Sequence, residues 1–209
     1  MGQARQQSEA VSARRSLRLR GYDYAQAGAY FVTICTAARK CCLCEIAGTA
    51  VNLTPVGRIV AEEWVRTAEL RPKVGLDEFV VMPNHLHGIV VLSQTVGATR
   101  RVAPGRGSAS PLRSGVSPGS LGAIVGQFKA ASACRINALC GTSGRAFWQR
   151  GFYEHMIRDE ADLEATRTYI ANNPLQWALD RENPVSSHPQ TRRFEEAMPV
   201  SRTHAPEET

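Results

Sequence analysis

The sequence predicts an α+β fold, a ferredoxin-like antiparallel sheet with helices packed on one face. Three observations predict it. Strand and helix signals alternate roughly as β-α-β-β-α-β-α, the order that lays helices over an antiparallel sheet. The chain has 209 residues, room for one domain of ordinary size plus tails. Hydrophobic residues make up 43%, which supports a real core and argues against global disorder.

Residues 1–13 are polar and small and read as a flexible N-terminal tail. Residues 14–181 read as the folded domain, and 182–209, rich in Pro, Ser and charge, as a C-terminal tail. Within the domain, "AYFVTICTA" supplies a first strand from Tyr30 to about Thr36, dense in β-branched and aromatic residues. "TPVGRIVAEEWVRTAEL" predicts a helix. Thr54 is its N-cap, Pro55 suits the first turn, and Val56, Ile59, Val60 and Trp64 recur on one face. "DEFVVM" and "LHGIVVL" are two strands joined at Pro83-Asn84, the composition of a tight connection.

Residues 93–119 have no periodicity and are rich in Gly, Ser and Pro, with arginines at 100, 101, 106 and 113. They read as a flexible basic loop inside the domain, because the next segment still needs the earlier strands to bury its apolar face. That segment, "SLGAIVGQFKAASACRINAL", predicts a helix capped by Ser120, with Leu121, Ile124, Val125, Phe128, Ile136 and Leu139 along one stripe. "AFWQRGFYEHMIRD" is an irregular strand. "DEADLEATRTYIANNP" is a helix with Asp159 as cap, acidic residues in its first turn and Pro174 as its stop.

The net charge is +6 and the sequence pI near 9.2, with arginine supplying most of the positive charge. The planar guanidinium suits phosphate contacts, so a nucleic-acid partner fits. Apolar runs fall far short of the roughly 20 residues of a membrane span, and no signal-peptide core opens the chain, so the cytoplasm is the expected location. Of six cysteines, Cys41, Cys42 and Cys44 crowd together without the spacing of a zinc loop, and reduced thiols are expected.

Two of only five histidines stand one residue apart in "FVVMPNHLHGIVVL". Alternation along a strand sends His85 and His87 to the same face with Leu86 on the other, so both imidazoles can reach one ion. Gly88, by removing the next side chain, is expected to leave room above them. The alternative is a pair of partly exposed histidines on a solvent face. On the last helix, Tyr169 and Asn173 are spaced i, i+4 and lie on one face. A tyrosine hydroxyl can attack phosphorus and an amide oxygen can ligate Mg or Mn. Equally, Tyr169 could be a core aromatic and Asn173 a helix C-cap before Pro174.

"MPNHLHGIV", then "WQRGFYEHMIRDEADLEATRTYIANNPL", and "RRSLRLRGYDYAQAGAYFVTICTAARK" near the start resemble the single-tyrosine HUH transposases. More narrowly they resemble the REP-associated tyrosine transposases, over about Arg14 to Leu179. The resemblance implies the HUH nuclease type of fold, His85 and His87 as the metal pair, Tyr169 as nucleophile and Asn173 as third ligand. The implied cofactor is a divalent ion, Mg or Mn, and the implied partner is single-stranded hairpin DNA, with no membrane and no small-molecule cofactor. The implied reaction is cleavage and rejoining of that DNA through a 5′-phosphotyrosine, by a nucleoid-associated monomer or homodimer.

Arg14, Arg15, Arg18, Arg20, Lys129 and Arg150 are candidate backbone contacts, and Tyr22 and Trp148 candidate stacking rings. Each is alternatively a solvated charge or a core ring. His155 and Glu154 are the nearest candidates to take the tyrosine proton. A hairpin-DNA-binding regulator without catalysis remains the alternative reading, and a metal-dependent phosphodiesterase using activated water is a third.

Overall fold

Alternation along the first strand decides the architecture. In a computed structural model that describes residues 26–93, 118–179 and 183, strand β1 (Gly28–Cys35) sends Tyr30, Val32 and Ile34 to one apolar cluster and Phe31 to another. A strand buried on both faces belongs in the middle of a sheet. β1 duly lies between β5 (His85–Leu92) and β6 (Tyr153–Ile157), with β4 (Val74–Val81) beyond β5, and every pair is antiparallel. The order β4-β5-β1-β6 with its crossover helices is the ferredoxin-like arrangement expected.

Helix α1 (Pro55–Glu69) and helix α2 (Leu121–Cys140) cover one face. Trp64 of α1 packs edge-on to Phe128 of α2, at a ring separation of 5.2 Å. Thr54 and Ser120 cap these helices through hydroxyls that accept from Gly57 N and Ala123 N, as the sequence predicts. Helix α3 (Glu160–Gln176) does not join them. Its Ile170 packs with Phe31 and Ile89 on the opposite face of the sheet. The expectation of helices on one face is therefore corrected. The sheet is sandwiched, because the α3-facing side of β1 and β5 carries an apolar cluster of its own, Phe31 and Ile89, beside the buried histidines.

Four further departures have physical causes. Cys44–Ala47 (β2) and Ala50–Leu53 (β3) form a hairpin the sequence reading missed, turned at Gly48 with φ 63°. Helix α3 runs through Pro174 to Gln176 instead of stopping there, so Asn173 is interior to it and is no C-cap. Leu139 is exposed beyond the end of the apolar stripe of α2. Gly88 faces α1, not the histidines: a Cβ there would stand 2.5 Å from Trp64 Cζ2. Among the described residues no helix is long and apolar enough to cross a membrane.

Candidate active site

The face of β5 that meets α3 carries His85, His87 and Ile89, and both histidines are buried. Each ring is fixed from a neighbouring residue. The register sets Thr33 opposite His87, and Thr33 Oγ1 lies 2.9 Å from His87 Nδ1. His85 Nδ1 donates to Asn84 Oδ1 at 2.7 Å. An amide oxygen cannot donate, so a neutral His85 carries its proton on Nδ1 and a lone pair on Nε2. That lone pair meets His87 Nε2 at 2.9 Å. His87 therefore donates across the pair, with the Thr33 hydroxyl turned to donate to its Nδ1.

Both rings are held neutral. Burial pushes the His87 imidazole down to about 3. Burial first, then the charges of His87 and Arg39, keep His85 well below the ordinary histidine value. Two ligand nitrogens at about 2.1 Å from one ion and at right angles to each other stand about 3 Å apart. The 2.9 Å separation meets that requirement. Rotation of the Thr33 hydroxyl into the acceptor role would move the His87 proton to Nδ1 and release both Nε2 lone pairs towards a cation.

Helix α3 supplies the remaining groups. The Tyr169 ring meets His87 at 5.4 Å with a 66° tilt, and Phe31 edge-on at 5.9 Å. Trp177 meets His85 at 6.1 Å. Positions 169, 173 and 177 form one stripe of the helix, so Asn173 comes between two side chains that flank the histidines. Asn173 is buried, and its Oδ1 has no hydrogen-bond partner among the described residues. Such an orphaned acceptor is costly unless a cation or donor arrives. Among the described residues no group of three or more His, Cys, Asp or Glu side chains could hold a metal ion. What stands together here is a pair of buried imidazoles and one buried amide.

Sequence reasoning overlooked the groups that position the site. Arg167 grips Asp77 of the edge strand, Nε to Oδ1 at 2.9 Å and Nη2 to Oδ2 at 2.7 Å, two residues before Tyr169. Asp77 sits where the β4–β5 register shifts between Leu76 and Phe79, an irregularity that re-aims its side chain. The Arg167 bonds hold the Asp77 carboxyl below the usual carboxylate range. Thr33 was visible in principle as the cross-strand partner of His87, but only once the register was known.

The other candidates fall elsewhere. His155 Nε2 bonds Asp162 at 3.0 Å, about 10 Å along α3 from Tyr169 by helical rise, and Glu154 alternates to the opposite face of β6. Lys129 donates to the carbonyls of Gln149 and Gly151, bracing the loop where Arg150 is exposed. Trp148 is a core ring whose Nε1 donates to Ser132 Oγ at 2.9 Å, so it is not placed to stack on a base. Arg14, Arg15, Arg18, Arg20, Tyr22 and most of loop 93–119 lie outside the described residues.

An uncharacterized protein of Haemophilus influenzae is 37% identical to this chain over 171 residues, covering 80% of this chain and 92% of that protein. The chain belongs to that protein's family. No protein-family model matches the chain. The family's fold also appears in the solved structure of a REP-associated tyrosine transposase bound to a REP hairpin. The match has a TM-score of 0.51 and 20% identity, and covers 77% of this chain and 73% of the other. At that identity the likeness is one of fold.

Proposed function

We propose that the protein is a transposase-like DNA endonuclease and strand transferase. It cleaves and rejoins single-stranded DNA near palindromic hairpins through a 5′-phosphotyrosine on Tyr169. The observation that carries this reading is the packing of the Tyr169 ring on His87, with orphaned Asn173 one turn along the same helix. The fold shared with a transposase solved on a REP hairpin supports the substrate class.

His85, His87 and Asn173 would hold a divalent ion, Mg or Mn, which when bound draws charge from a non-bridging phosphate oxygen. The chain's own residues do the rest. The rings of Phe31 and His87 fix the plane of the phenol, limiting the approach of its oxygen to one direction. Tyr169 Oη forms a bond to phosphorus as the bond to the DNA 3′-oxygen breaks. The 3′-oxygen leaves with that electron pair and takes up a proton, and the phenolic proton passes to water. Attack by a 3′-hydroxyl on the phosphotyrosine reverses the exchange, regenerating the phosphodiester and the phenol.

Incubation of the full chain with labelled hairpin single-stranded DNA and Mn²⁺, followed by a denaturing gel, tests this. The expected result is a covalent adduct with the wild type and none with Tyr169→Phe, which still binds the DNA. Undiminished cleavage by Tyr169→Phe would mean a water-using hydrolase. Binding by the wild type without cleavage or adduct on any hairpin would mean a silent DNA-binding regulator.

A further inference from the structure

We propose that a cleft beside the Thr36–Lys40 turn, at the end of the sheet where Cys35 pairs with His85, binds one unpaired nucleotide of the DNA substrate. The proposal rests on the nuclease reading above. The cleft, of about 360 Å³, is lined by Thr36, Lys40, Ile136, Asn137, Arg145 and Phe147, with Cys42 and Cys140 also on its wall. That volume is at the small end of ligand sites and suits one nucleotide. The half-buried Phe147 ring gives an apolar surface for a base, and Lys40 and Arg145 give cations for its phosphate. Neither cation makes a salt bridge among the described residues.

The walls are built, not incidental. Thr142 Oγ1 donates to Asn137 Oδ1 at 3.0 Å, and Asn137 Nδ2 donates to the Arg145 carbonyl at 2.9 Å, so the loop bearing Arg145 is braced. Ala37 N donates to the Phe147 carbonyl at 2.8 Å, stapling the turn to the opposite wall. Within that turn Ala38 and Arg39 both take the left-handed conformation, with φ of 52° and 54°. Side chains with a Cβ rarely do so, and strain of this kind gathers at functional sites.

The same turn is joined to the histidines. Thr36 N and Thr36 Oγ1 donate to the Asn84 carbonyl at 2.9 and 3.0 Å, and the Asn84 side chain holds His85. Arg39, on the turn, lies close enough for its charge to reach His85. One short segment therefore forms a wall of the cleft and the frame of the metal-binding pair.

The test uses the full chain and a labelled hairpin with or without a four-nucleotide single-stranded foot. The expected result for Lys40→Gln/Arg145→Gln is about tenfold weaker binding of the footed hairpin and unchanged binding of the blunt one. Its log–log salt slope should fall by about 0.7, the value for one phosphate no longer neutralised. In the wild type, Cys134 and Cys140 are both exposed on α2, and only Cys140 lines the cleft. Saturating footed DNA should slow alkylation of Cys140 by N-ethylmaleimide and leave Cys134 unchanged. Unaltered Cys140 alkylation, or equal weakening on both hairpins, overturns the proposal while a Tyr169 adduct keeps the nuclease reading standing. Cys140 protection without any adduct would instead remove the nuclease and keep the cleft.

Discussion

Arg167 and Asp77 form a two-point ion pair that ties the helix carrying Tyr169 to the edge strand of the sheet. A planar guanidinium matched to a carboxylate fixes rotation as well as distance. Asp77→Asn is therefore expected to slow adduct formation several-fold while leaving hairpin affinity near that of the wild type. Arg167→Lys should not rescue the geometry, because an ammonium bonds at one point. Single-turnover cleavage set beside fluorescence anisotropy separates rate from binding. A parallel fall in both would count against a positioning role.

The histidine pair makes stability depend on pH. The His87 value falls to about 3 on folding from an ordinary value of about 6.5. Below pH 6.5 the unfolded chain takes up the proton and the folded chain does not. The contribution is thus complete above about pH 6.5 and is lost as pH falls towards the folded value. The slope should be about 1.4 kcal/mol per pH unit for each histidine. Urea denaturation from pH 8 to 4 measures it, and His87→Asn should flatten the curve.

Asn173 offers a sharper distinction. Its Oδ1 is buried and lacks a partner among the described residues, so its removal deletes a desolvation cost. Asn173→Leu is expected to leave the melting temperature unchanged or raised, while Mn²⁺ affinity falls at least tenfold by calorimetric titration. A marked loss of stability would show that the amide is structural.

Gly88 should be intolerant for a reason unrelated to the histidines. A methyl group there meets Trp64 Cζ2 at 2.5 Å and Phe79 Cβ at 3.2 Å. Gly88→Ala is expected to cost about 1–3 kcal/mol, and Trp64→Leu in the same chain should recover part of it. Thermal melts of the single and double variants provide the check.

The three helix caps, Thr54, Ser120 and Asp159, were legible because capping is a local matter of one hydroxyl or carboxylate reaching a backbone N–H three residues on. So was the common face of His85 and His87, since strand periodicity is two. The face chosen by α3 was not. Amphipathic spacing shows that a helix buries a stripe, but a sheet apolar on both faces leaves the choice to loop reach. The bond from Thr33 to His87 and the bond from Arg167 to Asp77 span 54 and 90 residues, and no local pattern encodes such separations. The hairpin Cys44–Leu53 was hidden because Cys44, a strand residue, was weighed with Cys41 and Cys42 as a possible ligand.

The two sides of the sheet are unequally clad. Two helices and a large apolar cluster cover one side, whereas α3 alone, anchored on Phe31, Ile89 and Ile170, covers the other. Cooperative units with little apolar anchorage open first. Amide hydrogens of α3 should accordingly exchange with deuterium sooner than those of α1 and α2. The layer bearing the nucleophile would then behave as a hinged cover, able to lift and let a tethered strand end depart without unravelling the rest of the molecule.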